Sequence, residues 1–322
     1  MMDHRPLDAR TPSSRFPGRP IDVRSECMTV TESGTGRHTS AAALALFVIH
    51  SSVVDLPMMR VHARTLALSA SSRLIKGGDL VYAFNGRAEG AIRRSLQEGI
   101  ANYPQVQSGG RAWLCAGLDN AGYWCGQFCD WHKISTLWSA GPSGAYSAVV
   151  YLEDDVFATP LAIRTLERAL LLDHDPRAEP RAKRATIEAG EQRPASWFVA
   201  RYRDGLASAR YRHQYNMDLL AHRPQAVSAT VWEHACRQCL EGAASNPTKA
   251  SATKGASPPG GAEGVLWRAV NASGLRVQVL LPATFHSTRK MDAMGVWHTH
   301  NASDVVRWLS SVHGVTLRDR GA

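Results

Sequence analysis

The sequence predicts an α/β fold: a mostly parallel central sheet with helices on both faces. Three observations lead there. From Leu44 onward, apolar runs of strand length alternate with segments of helical periodicity. Two of those runs, 44–54 and 149–152, are almost wholly apolar, as strands covered on both faces must be. Polar residues (Ser51, Asn85, Asn120 and Glu153) follow successive runs, and ligands of such sheets bind beyond the carboxyl ends of the strands.

Taken in order, residues 1–40 mix Arg, Asp, Pro, Ser, Thr and Gly without periodicity and read as a disordered leader. The run at 44–54 is the first strand, and Pro57 opens a helix to about Arg73. A second strand covers 79–84, a helix 87–100 and a third strand 111–116. An aromatic-rich helix is expected over 123–138. After the strand at 146–152, Pro160 starts a helix whose apolar stripe is Leu161, Ile163, Leu166, Leu170 and Leu171. Residues 173–195 break the alternation as a solvated, flexible insertion carrying Arg177, Arg181, Lys183, Arg184 and Arg193. Strands at 197–202 and 214–220, a helix at 225–240 and a second flexible insertion at 241–261 follow. A helix at 263–269, a strand at 275–281 and a helix at 304–312 complete one domain over 41–312, and 313–322 is a tail.

The chain of 322 residues is 44% hydrophobic and 20% charged, enough for a sizeable core. Its formal charge of +9 favours anionic partners without choosing among nucleotides, nucleic acid and lipid. The basic insertion lacks the aromatics that base stacking needs, so nucleic acid is disfavoured. The six cysteines make no disulfide framework for a chain this long; Cys115, Cys125 and Cys129 read as buried thiols. No stretch reaches the ~20 apolar residues of a membrane span. The run ending at His50 could also serve as a signal segment over 28–50, which leaves the compartment, cytoplasm or secretory lumen, open. Asn271-Ala-Ser273 and Asn301-Ala-Ser303 match the glycosylation pattern, which matters only in the lumen.

The most informative stretch is 146–160, where β-formers run directly into Glu153, Asp154 and Asp155 and then a turn. Three acids at the end of a buried strand repel one another and call for a cation or a protonated member. Oxygen donors of this kind suit Mg²⁺ or Mn²⁺. A strand, Glu-Asp-Asp, turn and helix in this order resembles the metal motif of GT-A-fold glycosyltransferases that use nucleotide sugars. Asn120-Ala-Gly122-Tyr-Trp-Cys-Gly126 is similar to the Asn-x-Gly-aromatic turn that precedes that motif in many sugar transferases.

The resemblance implies a GT-A-like, Rossmann-like sheet with a nucleotide-binding half at 41–172 and a smaller acceptor-side half at 195–312. It implies Asp155 as a metal ligand, with a late histidine closing the shell. Gly295-Val-Trp-His298-Thr-His300 offers two candidates, of which His300 is preferred, and His286 is a fallback. Glu153 and Asp154 would hold ribose or sugar hydroxyls, and Asn120 and Gly122 the donor. Ser51 and Asn85 either contact base or ribose or cap the helices that follow them. Glu263, in the first turn of a late helix, is the candidate base of an inverting reaction, with Asp218 as the other carboxylate. His234-Ala-Cys-Arg-Gln-Cys239 lacks the further ligands zinc needs and reads as core thiols on a helix.

The expected function is transfer of a hexosyl or N-acetylhexosaminyl group from a nucleotide-diphosphate donor to a hydroxyl of a glycan, protein or small molecule. The alternatives are a non-catalytic α/β protein that binds nucleotide or nucleic acid through a degenerate site, and a nucleotide-sugar hydrolase.

Overall fold

The computed structural model describes residues 27–31, 44–51, 54–116, 129–132, 134, 146–172, 197–202, 215–222, 229–244, 261–273, 277–285, 296–299 and 301–314. Its strands are β1 (Cys27–Thr31), β2 (Ala45–Ser51), β3 (Gly78–Phe84), β4 (Ala112–Ala116), β5 (Ala148–Glu153), β6 (Val156–Ala158), β7 (Trp197–Tyr202), β8 (Tyr215–His222), β9 (Val277–Phe285) and β10 (Val296–His298). The helices are α1 (Leu56–Ala67), α2 (Arg73–Lys76), α3 (Gly90–Ala101), α4 (Pro104–Gln107), α5 (Pro160–Glu167), α6 (Ala229–Ala244), α7 (Gly261–Ala272) and α8 (Ala302–His313). A π-helical turn, Arg168–Leu172, extends α5.

One sheet joins the strands in the order β1-β4-β3-β2-β5-β8-β7-β9-β10-β6. The run β4-β3-β2-β5 is parallel throughout, and β7-β9-β10 is a second parallel set. Antiparallel pairing brings in β1, β8 and β6. The fold is therefore α/β with a sheet more parallel than not, as the alternation of strands and helices predicts.

β2 lies between β3 and β5 and is buried along its whole length, which is why it reads as an unbroken apolar run. Alternate residues face opposite ways. Phe47, Ile49, Tyr82, Val150 and Leu152 pack with Met59, Leu66, Leu96, Ile100 and Ile163 of α1, α3 and α5. Leu46, Val48, Val81 and Tyr151 face Trp131, Trp232 on α6, and Val265 and Leu266 on α7. Each such apolar side chain contributes roughly 1.5–3 kcal/mol on burial. A third cluster packs α8 against α1 through Val305, Trp308, Leu309, Met58 and Val61, with Phe157 of β6 and Trp297 of β10 between them. Helix ends follow local chemistry. Asp55 accepts from the Met58 N–H at 2.9 Å, Thr159 from that of Ala162 ahead of Pro160, and Gly314 stops α8 at φ 62°.

Several expectations need correction. The expected leader contains β1, an edge strand whose Met28 and Val30 pack onto the core and whose Cys27 is bonded to Cys115. A five-residue alternation inside polar sequence was too short to stand out. Cys115 and Cys129 are not free thiols: Cys129 is bonded to Cys236, so at least Cys236 of the 234–239 motif is also disulfide-bonded. These bridges span 88 and 107 residues, separations that spacing alone does not reveal. The helix expected to reach Arg73 stops at Ala67, and Ser72 caps the separate α2 through the Leu74 N–H. The apolar run ending at His50 is the central strand β2. Among the described residues no helix is long and apolar enough to cross a membrane.

Two stability measurements test this core. The ring of His62 is fully buried and donates from Nε2 to the Val156 carbonyl at 2.8 Å. Burial pulls its pKa down to about 4, partly opposed by that hydrogen bond and by the charge of Asp155. Below its ordinary pKa of about 6.5 the unfolded chain takes up a proton that the folded chain refuses. Stability should then fall by up to ~1.4 kcal/mol per pH unit towards pH 4. Denaturant melts should show this acid limb flattened in His62→Gln, which keeps a donor for Val156. Reduction of the Cys27–Cys115 and Cys129–Cys236 bridges should lower unfolding stability by about 2–5 kcal/mol per bridge, read as a shift in denaturation midpoint.

Candidate active site

The carboxyl ends of β2, β3 and β5 meet at one edge of the sheet. Ser51 lies opposite Phe84, and His50 opposite Glu153. The strand ends are tied together: the Asn85 N–H donates to the Ser51 carbonyl at 2.8 Å, and the Asp154 N–H to the His50 carbonyl at 3.0 Å. The Ser51 hydroxyl donates to Asp154 Oδ2 at 2.5 Å. Glu153–Asp155 turn directly into β6, and Val156 of that strand lies opposite His298. The Thr299 N–H donates to the Asp155 carbonyl at 3.1 Å. Backbone pairing thus draws the late Trp-His-Thr segment to the acidic turn across more than a hundred residues of sequence.

Electrostatically the turn is a buried cluster of acids. Glu153 and Asp155 are buried, with 7% and 9% of their surface exposed. Burial pushes the Asp154 carboxyl up to about 6; the charge of Asp155 adds to the rise, while Ser51 and His50 pull it back. The hydroxyls of Tyr82 and Tyr103 lie beneath the turn. Burial is the main cause holding both well above the ordinary tyrosine range, and the Asp154 charge adds to it.

Most of the residues singled out from sequence can be placed. Ser51, Asn85, Glu153, Asp154 and Asp155 come together at this edge. Neither Ser51 nor Asn85 caps a helix: Asp55 caps α1, and Glu89 stands at the start of α3 without a side-chain capping bond. Leu152 lies opposite Leu219, which sets Asp218 at the level of Glu153. β9 runs parallel to β7 from Val277, level with the start of β5 through Trp197, His222 and Val149. α7, which carries Glu263 in its first turn, ends at Ala272, and β9 begins at Val277. The side chains of Asp218, Glu263 and His298 lie outside the described residues, as do Asn120, Gly122, His286 and His300 entirely. Among the described residues no group of three or more His, Cys, Asp or Glu side chains converges on a metal position.

The structure also reveals partners that the sequence reading missed. On the opposite face from Ser51, His50 Nε2 sits 3.3 Å from Oδ2 of the fully buried Asp130. Nothing in Cys129-Asp130-Trp131 marks that aspartate as special; only the folding of this helical segment over β2 does. His50 itself was visible as the polar end of an apolar run.

No family model matches the chain, and no curated protein matches it. Solved structures do. A protein of Desulfovibrio desulfuricans, provisionally named a nucleotide-diphospho-sugar transferase, is 12% identical over 75% of this chain and 81% of its own, with a TM-score of 0.40. The galactosyltransferase LgtC, solved with donor and acceptor sugar analogues, is 10% identical over 80% and 87%, at 0.41. A 4-diphosphocytidyl-2C-methyl-D-erythritol synthase of Anaerococcus prevotii is 10% identical over 83% and 97%, also at 0.41. Similarity this distant assigns no reaction.

The electrostatics of the turn have a measurable consequence. An Asp whose folded pKa is about 6, against 3.8 otherwise, holds its proton in the fold over a range where the unfolded chain has lost it. Ionising it costs stability progressively between those values and fully above them. Asp154→Asn, still able to accept from Ser51, should therefore be more stable than the wild type at pH 7.5, by on the order of 1–3 kcal/mol. The gain should vanish near pH 3.5. Urea melts at both pH values read it, and equal stability at pH 7.5 would show that the carboxyl carries no such strain.

Proposed function

We propose that the chain is a metal-dependent glycosyltransferase that moves a sugar from a nucleotide-diphosphate donor to a hydroxyl acceptor. The single observation that carries this reading is the buried acidic turn at the carboxyl end of β5, where Asp154 is pushed up to about 6. A carboxyl kept partly protonated at the end of a parallel strand is relieved by a divalent cation, and the donors are oxygens, which suit Mn²⁺ or Mg²⁺. The described side chains alone do not complete a coordination shell. Diphosphate oxygens and a histidine from the β10 segment are the natural further ligands, since that segment is hydrogen-bonded to Asp155.

In this reading Asp155 holds the ion, and His298 or His300 adds a nitrogen. The ion would offset the charge that builds on the leaving diphosphate. Glu153 and Asp154 hold ribose or sugar hydroxyls, with Ser51 orienting Asp154 and Asn85 beside it. The acceptor oxygen bonds to the anomeric carbon as the bond from that carbon to the diphosphate oxygen breaks, and the nucleoside diphosphate departs with the electron pair. Glu263, or Asp218 as the other carboxylate of the edge, takes the acceptor's proton if configuration inverts. A retaining course needs no such base, because the departing diphosphate oxygen can take the acceptor's proton.

Calorimetry with uridine and guanosine diphosphate, with and without Mn²⁺, tests the proposal. Binding of at least one should require the ion, and Asp155→Ala should weaken it by about a hundredfold or abolish it. Equal binding with and without Mn²⁺ would point instead to a non-catalytic nucleotide-binding protein. Release of sugar from the donor without any acceptor, at a rate unchanged by adding one, would make the protein a nucleotide-sugar hydrolase.

A further inference from the structure

On the face of the sheet away from Ser51, a second layer of polar residues backs the acidic turn. His50 has the same parity as Leu46 and Val48, so its ring projects among the cluster formed with α6 and α7. There Nε2 lies 3.3 Å from Asp130 Oδ2, close enough for a proton on the ring to be donated to the carboxylate. Both side chains are almost wholly removed from solvent, at 5% and 0% exposure. The same residue holds the turn by its backbone: the His50 carbonyl accepts from the Asp154 N–H at 3.0 Å, and His50 is the register partner of Glu153 on β5. His50 therefore touches the acidic turn with its main chain and Asp130 with its side chain.

Asp130 is in turn held in place by its neighbours. Cys129 is bonded to Cys236 on α6. The Trp131 ring packs 5.0 Å from Tyr151 and 4.9 Å from Trp232, centroid to centroid, and meets the His50 ring edge-on at 6.4 Å. Three successive residues are thus fastened to α6, β2 and β5. A buried aspartate facing a buried histidine is costly to keep without return in stability, since well-packed apolar residues serve a core as well or better. Its position directly behind the candidate ligands supplies a reason to keep it.

We propose that His50 and Asp130 are positioning residues for the acidic turn: Asp130 orients His50, and His50 fixes the backbone from which Glu153, Asp154 and Asp155 present their oxygens to the cation and the diphosphate. Neither touches the ligand. This role rests on the reading of the site given above. It lies one step behind the outer hydrogen-bond partners of metal ligands, whose loss costs about 10- to 100-fold in affinity, because His50 bonds the main chain of Asp154 and not a ligand side chain.

The test is Mn²⁺-dependent binding of uridine and guanosine diphosphate to the full chain, with circular dichroism and thermal melts to establish folding. Asp130→Ala and His50→Ala, in folded protein, should weaken binding about tenfold or more and raise the donor KM more than they lower kcat. Asp130→Asn, which still accepts a hydrogen bond from the ring, should restore most of the affinity. Should the alanine variants not fold, His50→Gln and Asp130→Leu, singly and together, form a cycle whose coupling should then appear in ligand affinity. Two results overturn the role: folded variants that bind as the wild type does, or losses confined to the fraction of active protein with Kd and KM unchanged. A wild-type chain that binds neither nucleotide removes the glycosyltransferase reading itself, and this role with it.

Discussion

Negative charge gathered at the carboxyl end of β5 is the constraint around which the rest of this structure is arranged. Glu153, Asp154 and Asp155 end a strand enclosed on both sides, and the chain cannot leave them loosely hydrated as a surface loop would. At the opposite edge of the sheet a comparable problem is solved with charge: Asp79 meets Arg111 at 2.7 Å and accepts from the Tyr146 hydroxyl. Around Asp154 the answer differs. Its side chain accepts from the neutral Ser51 hydroxyl, which only partly offsets the burial that pushes its carboxyl up to about 6.

Fold and chemistry are coupled through short backbone contacts rather than through long side chains. Asn85 to Ser51, Asp154 to His50 and Thr299 to Asp155 are main-chain hydrogen bonds, and each joins strand ends that arrive from distant parts of the sequence. Main-chain bonds of this kind fix position independently of side-chain rotamer, which a constellation of small polar groups needs. Behind them, aromatic packing of Trp131, Tyr151 and Trp232 stiffens the sheet on the side away from Ser51. The third hydrophobic cluster, closed by α8, presses β6 and β10 together beside the turn.

Much of this was legible in the residues themselves. Apolar runs without alternation marked β2 and β5 because both their faces are covered, and Pro160 marked the start of α5. Ser51, Asn85 and the acidic triplet were recognisable because a parallel sheet delivers its strand ends to one edge, and the structure brings them there. β1, the Cys27–Cys115 and Cys129–Cys236 disulfides and the break after Ala67 escaped because each depends on contacts whose partner is far away or whose local pattern is only a few residues long.

The order and type of the central elements, and the presence of acids at a strand end, belong to the sequence alone, since periodicity and turn chemistry are local properties. What faces those acids belongs to the tertiary structure. Pairing of β10 with β6, the level of Asp218 against Glu153, and the meeting of His50 with Asp130 all depend on which strands lie side by side and in which register. A register is set by the sum of many weak burial terms over the whole sheet, and no single segment carries enough of that sum to reveal it.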